Sequence, residues 1–280
     1  MNKRNIFIGL SIITTIIFIY ALFYGKLFPF SPIAAGFEKH ELKNTIIYVQ
    51  NGSNYNDYIE IDKYTESVES FHRLKFRSKP EIFIFSDKKS YLRRNVTRAR
   101  FYAYPNGRLV VAPWAVDESE KGIISLEIYI KHELSHVLLY QNMSFVAAYY
   151  YPQWLMEGIA VYSTNQMGTS WYPDKIKTYE IIKNGNFFPP YLYKTNKEDS
   201  IKLNTENRIA FMYSEFGCIV DFLIEKYGKD KFCEYMKGLF HNYDHDNLFK
   251  NIYNTDFESF LNDFKENTNQ KNYFVQRKIK

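Results

Sequence analysis

The chain has 280 residues, of which 46% are hydrophobic and 19% aromatic, and carries a formal net charge of +5. That apolar share supports a sizeable folded core and excludes a disordered tail or a repeat array. The positive excess is modest and no nucleic-acid motif accompanies it, so nucleic acid is not an expected partner.

Lys3 and Arg4 precede an uncharged run from Asn5 to Gly25, and Lys26 restores charge. As a helix this run would span about 32 Å, the thickness of a bilayer's hydrocarbon core. Tyr20 and Tyr24 lie near one end, where aromatic rings suit the interface. A cleaved signal peptide is the alternative, with Ala34-Ala35-Gly36 as its processing site; the length of the apolar run favours an uncleaved anchor. The expected layout is a cytoplasmic tip at 1–4, an anchor at 5–25 and a linker at 26–44. Lys3, Arg4 and the terminal amine favour an inside N-terminus, although Lys26, Lys39 and Lys43 dilute the bias. The rest of the chain is then extracytoplasmic.

An α/β lobe is expected over 45–165. Ile46 to Val49 reads as a strand, Asp57 to Leu74 as a helix and Ile82 to Phe85 as another strand. Lys88, Lys89, Arg93, Arg94, Arg98 and Arg100 form the densest basic stretch, which reads as a solvated helix and loop or as a contact for anionic headgroups or an acidic substrate. Phe101 to Tyr104, a Pro105-Asn106-Gly107 turn and Arg108 to Ala112 suggest a hairpin.

The most informative segment is His132-Glu133-Leu134-Ser135-His136. On a helix, positions i and i+4 share one face, so both imidazoles can aim at the same ion. Glu133 sits about 100° round the helix from His132, where it can take a proton from a water activated at the metal. Downstream, Trp154 to Tyr162 is apolar except for Glu157, a carboxylate that is costly to bury without a partner. Two His and one Glu are the three-protein-ligand set of a catalytic zinc, with a fourth position left open. Gly158 and Ala160 are small, so this second helix is expected to approach the His132 helix closely.

The paired segments resemble those of the gluzincin metallopeptidases, in particular the peptidase MA-like group, where an HExxH helix is followed about twenty residues later by a W-L-x-E-G-x-A-x-Y helix. The resemblance covers roughly residues 45 to 240. It implies that His132, His136 and Glu157 bind one Zn2+ per chain and that Glu133 is the general base. It further implies that Tyr213, ahead of the Tyr227-Gly228 stop, faces the metal and donates to the forming oxyanion; an ordinary tyrosine, one of 25, is the alternative. In such enzymes an edge strand pairs with extended substrate, which points to Arg108, Leu109, Val110, Val111, Ala112 and Pro113 as substrate-binding residues. A plain sheet edge blunted by Arg108 and Pro113 is the competing reading. One departure stands out: where some gluzincins carry an acidic residue one turn after the ligand Glu, this chain has Val161, so the partner that orients a ligand histidine must come from elsewhere.

A helical lobe is expected over 166–280. Ile176, Tyr179 and Ile182 share one helix face, Pro189-Pro190 breaks the chain, and a long helix from about Glu206 to Tyr227 stops at Gly228. Another helix follows over Lys229 to Phe240, Thr255 with Glu258 suggests a capping box, and the chain is expected to fray from Asn267. Cys218 and Cys233 read as two buried thiols rather than a disulfide. His241 and His245 repeat the i, i+4 spacing, but no Glu follows His241 and the surroundings read as a turn; His40 and His72 have no partner spacing.

The expected fold class is therefore α+β and zincin-like: an N-terminal transmembrane helix, a small mixed sheet with the zinc-binding helix, then a mostly helical subdomain. The expected function is that of a membrane-anchored zinc-dependent endo- or oligopeptidase with peptide or protein substrates. A catalytically silent, membrane-tethered binding or assembly protein is one alternative. An aminopeptidase is another, disfavoured because no Gly-x-Met-Glu-Asn segment precedes His132; the corresponding region reads Gly107-Arg108-Leu109-Val110-Val111.

Overall fold

Alternating large apolar side chains make a sheet that is covered on both faces. The computed structural model describes residues 3–270. Its strands are β1 (Phe37–Glu41), β2 (Ile46–Gln50), β3 (Glu81–Ile84), β4 (Phe101–Ala103) and β5 (Arg108–Val111), in the order β1-β2-β3-β5-β4. The three central strands run parallel and the two outer ones antiparallel to their neighbours. Ile47, Val49, Ile82, Ile84, Leu109 and Val111 face one core, while Phe83, Phe85 and Val110 face another. The fold is the expected α+β class with a small mixed sheet.

The helices are α1 (Lys3–Tyr24), α2 (Tyr64–His72), α3 (Lys88–Arg94), α4 (Pro113–Glu120), α5 (Leu126–Asn142), α6 (Phe145–Tyr150), α7 (Gln153–Ser163), α8 (Lys175–Lys183), α9 (Arg208–Tyr227), α10 (Lys229–Gly238), α11 (His245–Tyr253) and α12 (Phe257–Gln270). Among the described residues α1 is the one helix long and apolar enough to cross a membrane, and none of it is buried. Helices α2 and α5 cover one face of the sheet; α7 to α12 build a separate aromatic-rich core around α9.

Several elements depart from the sequence expectation for identifiable reasons. The stretch read as a linker at 26–44 contributes β1 and the buried ring of Phe28, which is 1% exposed and packs against Phe37, Phe83 and Phe85. The helix expected from Asp57 to Leu74 begins as a 3-10 helix over Tyr55–Lys63, because Tyr55, Tyr58, Ile61 and Tyr64 recur every third residue and so line up at three residues per turn. The last helix is capped by Asp256, whose carboxylate accepts from the Ser259 amide, rather than by Thr255. It continues to Gln270; the remainder of the segment expected to fray lies outside the described residues. Cys218 and Cys233 are buried free thiols.

The close helix approach made by Gly158 is to α9, not to the His132 helix. A Cβ on Gly158 would stand 2.7 Å from the Phe216 carbonyl oxygen and 3.0 Å from Val220 Cγ2. Gly217 answers from α9, where a Cβ would meet Val161 Cγ1 at 2.9 Å. Two facing glycines let the backbones of α7 and α9 touch, and this contact sets the depth at which Glu157 lies.

Candidate active site

Helix α5 starts at Ser125, whose hydroxyl accepts from the Ile128 amide, and carries His132 and His136 on one face. Helix α7 brings Glu157 against that face. His132 Nε2 and His136 Nε2 are 3.1 Å apart, and each lies 3.3 Å from Glu157 Oε2. All three side chains are largely buried, at 5%, 6% and 7% exposure, so solvent screens the charge of this cluster only weakly.

The triangle fits a divalent cation. Donors about 2.0–2.1 Å from a tetrahedral ion lie ~3.3 Å from one another, which matches the three edges. The protonation pattern agrees. His132 Nδ1 lies 2.7 Å from Gln166 Oε1 and donates to it, which leaves a lone pair on Nε2 facing His136 Nε2. With the His136 Nε2 also deprotonated, a cation between the two nitrogens would satisfy both lone pairs. Although burial works to raise it, the His136 and His132 imidazoles hold the Glu157 carboxyl well below its usual range.

Gln166 is the orienting partner that the sequence did not reveal. It is fully buried and sits beyond the end of α7, in the turn that the chain makes after Thr164. His136 Nδ1 has no hydrogen-bond partner among the described residues. A third buried histidine also supports the motif: His72 Nε2 accepts from the Ser135 hydroxyl at 2.8 Å, and its Nδ1 donates to Val68 O at 2.7 Å.

Glu133 stands beside the triangle. Its Oε2 accepts from the Ala103 amide at 2.8 Å, and burial raises its carboxyl above the ordinary value while the two imidazoles pull it down. The Tyr213 ring lies parallel to the His132 imidazole at 6.3 Å, and its hydroxyl is 2.9 Å from that of Tyr193. Burial drives the Tyr213 phenol well above its usual pKa, so it keeps its proton. Lys194 Nζ lies 3.6 Å from the outer oxygen of Glu157. Glu133, Glu157, Lys194 and Tyr213 line a cleft of about 710 Å³ together with Tyr102, Met156 and Tyr172.

The open sheet edge at this cleft is β4, which corrects the expectation for 108–113. Arg108, Leu109, Val110 and Val111 form β5, paired on one side with β3 and on the other with β4, so their backbone groups are committed. Ala112 and Pro113 lead into α4 and, like the β5 residues, do not line the cleft. In the β4–β5 ladder Ala112 N donates to Arg100 O and Tyr104 N to Arg108 O. By the alternation of an antiparallel pair, Tyr102 also faces β5, while Phe101 and Ala103 turn their amide and carbonyl groups to the open side. The Ala103 amide bonded to Glu133 confirms that orientation.

His241 and His245 do not share a helix: α10 ends at Gly238, α11 begins at His245, and Asp244 caps α11 through the Asn247 amide. Among the described residues the one cluster able to hold a metal is His132, His136 and Glu157.

No curated protein sequence matches the chain. Its fold is similar to that of a two-domain M1 zinc metallopeptidase, a mutant crystallised with L-arginine, with a TM-score of 0.51 at 13% identity. The match covers 82% of this chain and 51% of the other, so this chain spans about half the length of that protein. The family model of the Peptidase MA superfamily matches residues 127–270, a span that holds both histidines, Glu133, Glu157 and Tyr213. On that match over half its length, the chain belongs to the Peptidase MA superfamily.

Proposed function

We propose that this chain is a zinc-dependent peptidase that cuts within peptides and is held at a membrane by α1. The observation that carries the reading is the buried His132, His136 and Glu157 triangle with Glu133 fixed beside it by the edge strand. Two imidazoles and one carboxylate are a donor set that suits zinc, and His132, His136 and Glu157 would hold it. Bound there, zinc would polarise the scissile carbonyl and acidify a water toward pKa ~7.

Glu133 does the proton work. Its Oε2 is tied to Ala103, so Oε1 takes the proton of the attacking water and passes it to the leaving amine. The Tyr213 hydroxyl, kept protonated by burial, donates to the oxyanion while Tyr193 holds it in position. The outward amide and carbonyl of Phe101 and the carbonyl of Ala103 take the extended substrate as an added strand.

Cutting within peptides is favoured over removal of the first residue. An aminopeptidase needs a carboxylate for the substrate's free amine, and the segment Thr97 to Tyr104 along this edge contains none. The cleft's two carboxylates, Glu133 and Glu157, are already engaged.

The test is metal analysis of the purified full-length chain, followed by cleavage of a peptide library with and without chelator. Glu133→Gln should keep the metal and lose turnover by about 10²-fold or more. His136→Ala should lose both. Cleavage that ignores the chelator, or no cleavage by the metal-loaded chain, would overturn the reading.

A further inference from the structure

The end of α1 is gripped by the folded part of the chain rather than tethered loosely to it. Lys26 Nζ donates to the carbonyls of Leu92, at 2.6 Å, and Asn95. The Arg94 guanidinium lies 5.4 Å from the Tyr24 ring and 4.6 Å over that of Phe28. Helix α3 and the turn after it therefore sit at the level where α1 ends.

The outer side of this region is both basic and apolar. Arg94 is buried against aromatic rings and Arg100 pairs with Glu118 at 2.5 Å, so two cations of the run are committed. Lys88, Lys89, Arg93 and Arg98 remain exposed, and among the described residues none of them pairs with a carboxylate. Leu27, next to Lys26, and Val96, between Arg93 and Arg98 in the chain, also stand in solvent, Val96 at 63% exposure, as do Phe30 and Ile33 further along the segment that follows α1. Cations without a carboxylate partner, of which Lys88 stands 6.0 Å over the Trp114 ring, together with exposed aliphatic and aromatic side chains suit the boundary between headgroups and acyl chains. An acidic protein would answer the charges but not the apolar side chains lying next to a spanning helix.

We propose that this face docks on an anionic lipid leaflet and so holds the cleft at the bilayer surface, where it takes peptide segments that lie close to the membrane. The proposal rests on the reading of α1 as a membrane anchor. The link to the cleft is direct: Thr97, Ala99 and Arg100 line it, and β4 begins at Phe101. Five residues extend at most about 18 Å, so the substrate edge lies within that distance of Val96.

The test uses the full-length chain in lipid nanodiscs, with a fluorophore on Val96→Cys; the native thiols are buried and do not compete for label. Spin-labelled headgroups should quench it several-fold more in discs containing phosphatidylglycerol than in pure phosphatidylcholine. About 1 M salt, where the Debye length falls to ~3 Å, should remove the difference. So should the combined change Lys88→Glu, Lys89→Glu, Arg93→Glu and Arg98→Glu, with thermal unfolding unaltered. A lipid-linked fluorogenic peptide should be cut several-fold faster than the same peptide free in solution. Equal quenching in both lipids would overturn the docking, and equal cleavage rates would overturn the substrate class, each leaving the anchor intact. Release of the chain from membranes by carbonate would overturn the anchor and this proposal with it.

Discussion

His132 and Gln166, 34 positions apart in sequence, are joined by a 2.7 Å hydrogen bond in which the imidazole donates to the amide oxygen. A neutral acceptor thus stands where a carboxylate would give the imidazole more basicity. Gln166→Leu should lower zinc affinity by about 10–100-fold, and Gln166→Glu should raise it. Competition with a chromogenic chelator measures both. Unchanged affinity in the Leu variant would deny Gln166 an orienting role.

Gly158→Ala should destabilise the chain by about 1–3 kcal/mol, the usual cost of overpacking a tight contact. The added Cβ meets backbone, the Phe216 carbonyl at 2.7 Å, which cannot rotate aside. Urea unfolding gives the difference, and a midpoint equal to that of the parent would mean that α7 and α9 part easily.

His72 should make the fold acid-sensitive. Burial pushes its imidazole down to about 4 from an ordinary 6.5. The native state then binds fewer protons than the unfolded chain between those values. Its stabilisation is complete above about 6.5 and is lost as pH falls toward 4, roughly 3 kcal/mol in all. His72→Gln keeps an acceptor for Ser135 but cannot titrate, so the pH dependence of its unfolding free energy should be shallower by that amount. Parallel curves for parent and variant would be the contrary result.

Phe28→Ala should cost about 3–5 kcal/mol, as for other buried aromatic rings. The ring is 1% exposed and touches Phe83 and Phe85 edge-on at centroid distances of 5.6 and 6.1 Å. A chain beginning at residue 38 should accordingly melt well below one beginning at 27, since it also lacks Phe37 of β1. Equal melting temperatures would assign the region a spacer role only.

The parts of the site that share one helix were legible because helical spacing alone sets their geometry. His132, Glu133 and His136 needed only 3.6 residues per turn, and Glu157 was visible as a charge in an apolar stretch. The edge strand was not legible. β5 looks like a sheet edge in sequence, but β3 pairs with it directly, skipping β4 in the chain order, and β4 folds outward to become the rim. Strand order is a long-range property that local alternation does not encode. β1 escaped notice because Glu38, Lys39 and Glu41 give it little apolar patterning. Gln166 and His72 reach the site through tertiary contacts alone, with no spacing to announce them.

The bond between Ala103 and Glu133 links two jobs that could have been separate. The amide that anchors the carboxylate belongs to the open strand of the sheet, so on the function proposed above the proton acceptor and the peptide's register would both depend on one short strand. Because Glu133 itself rides on α5, a shift of β4 along the sheet would unseat its carboxylate at the same time as it moved the rim of the cleft.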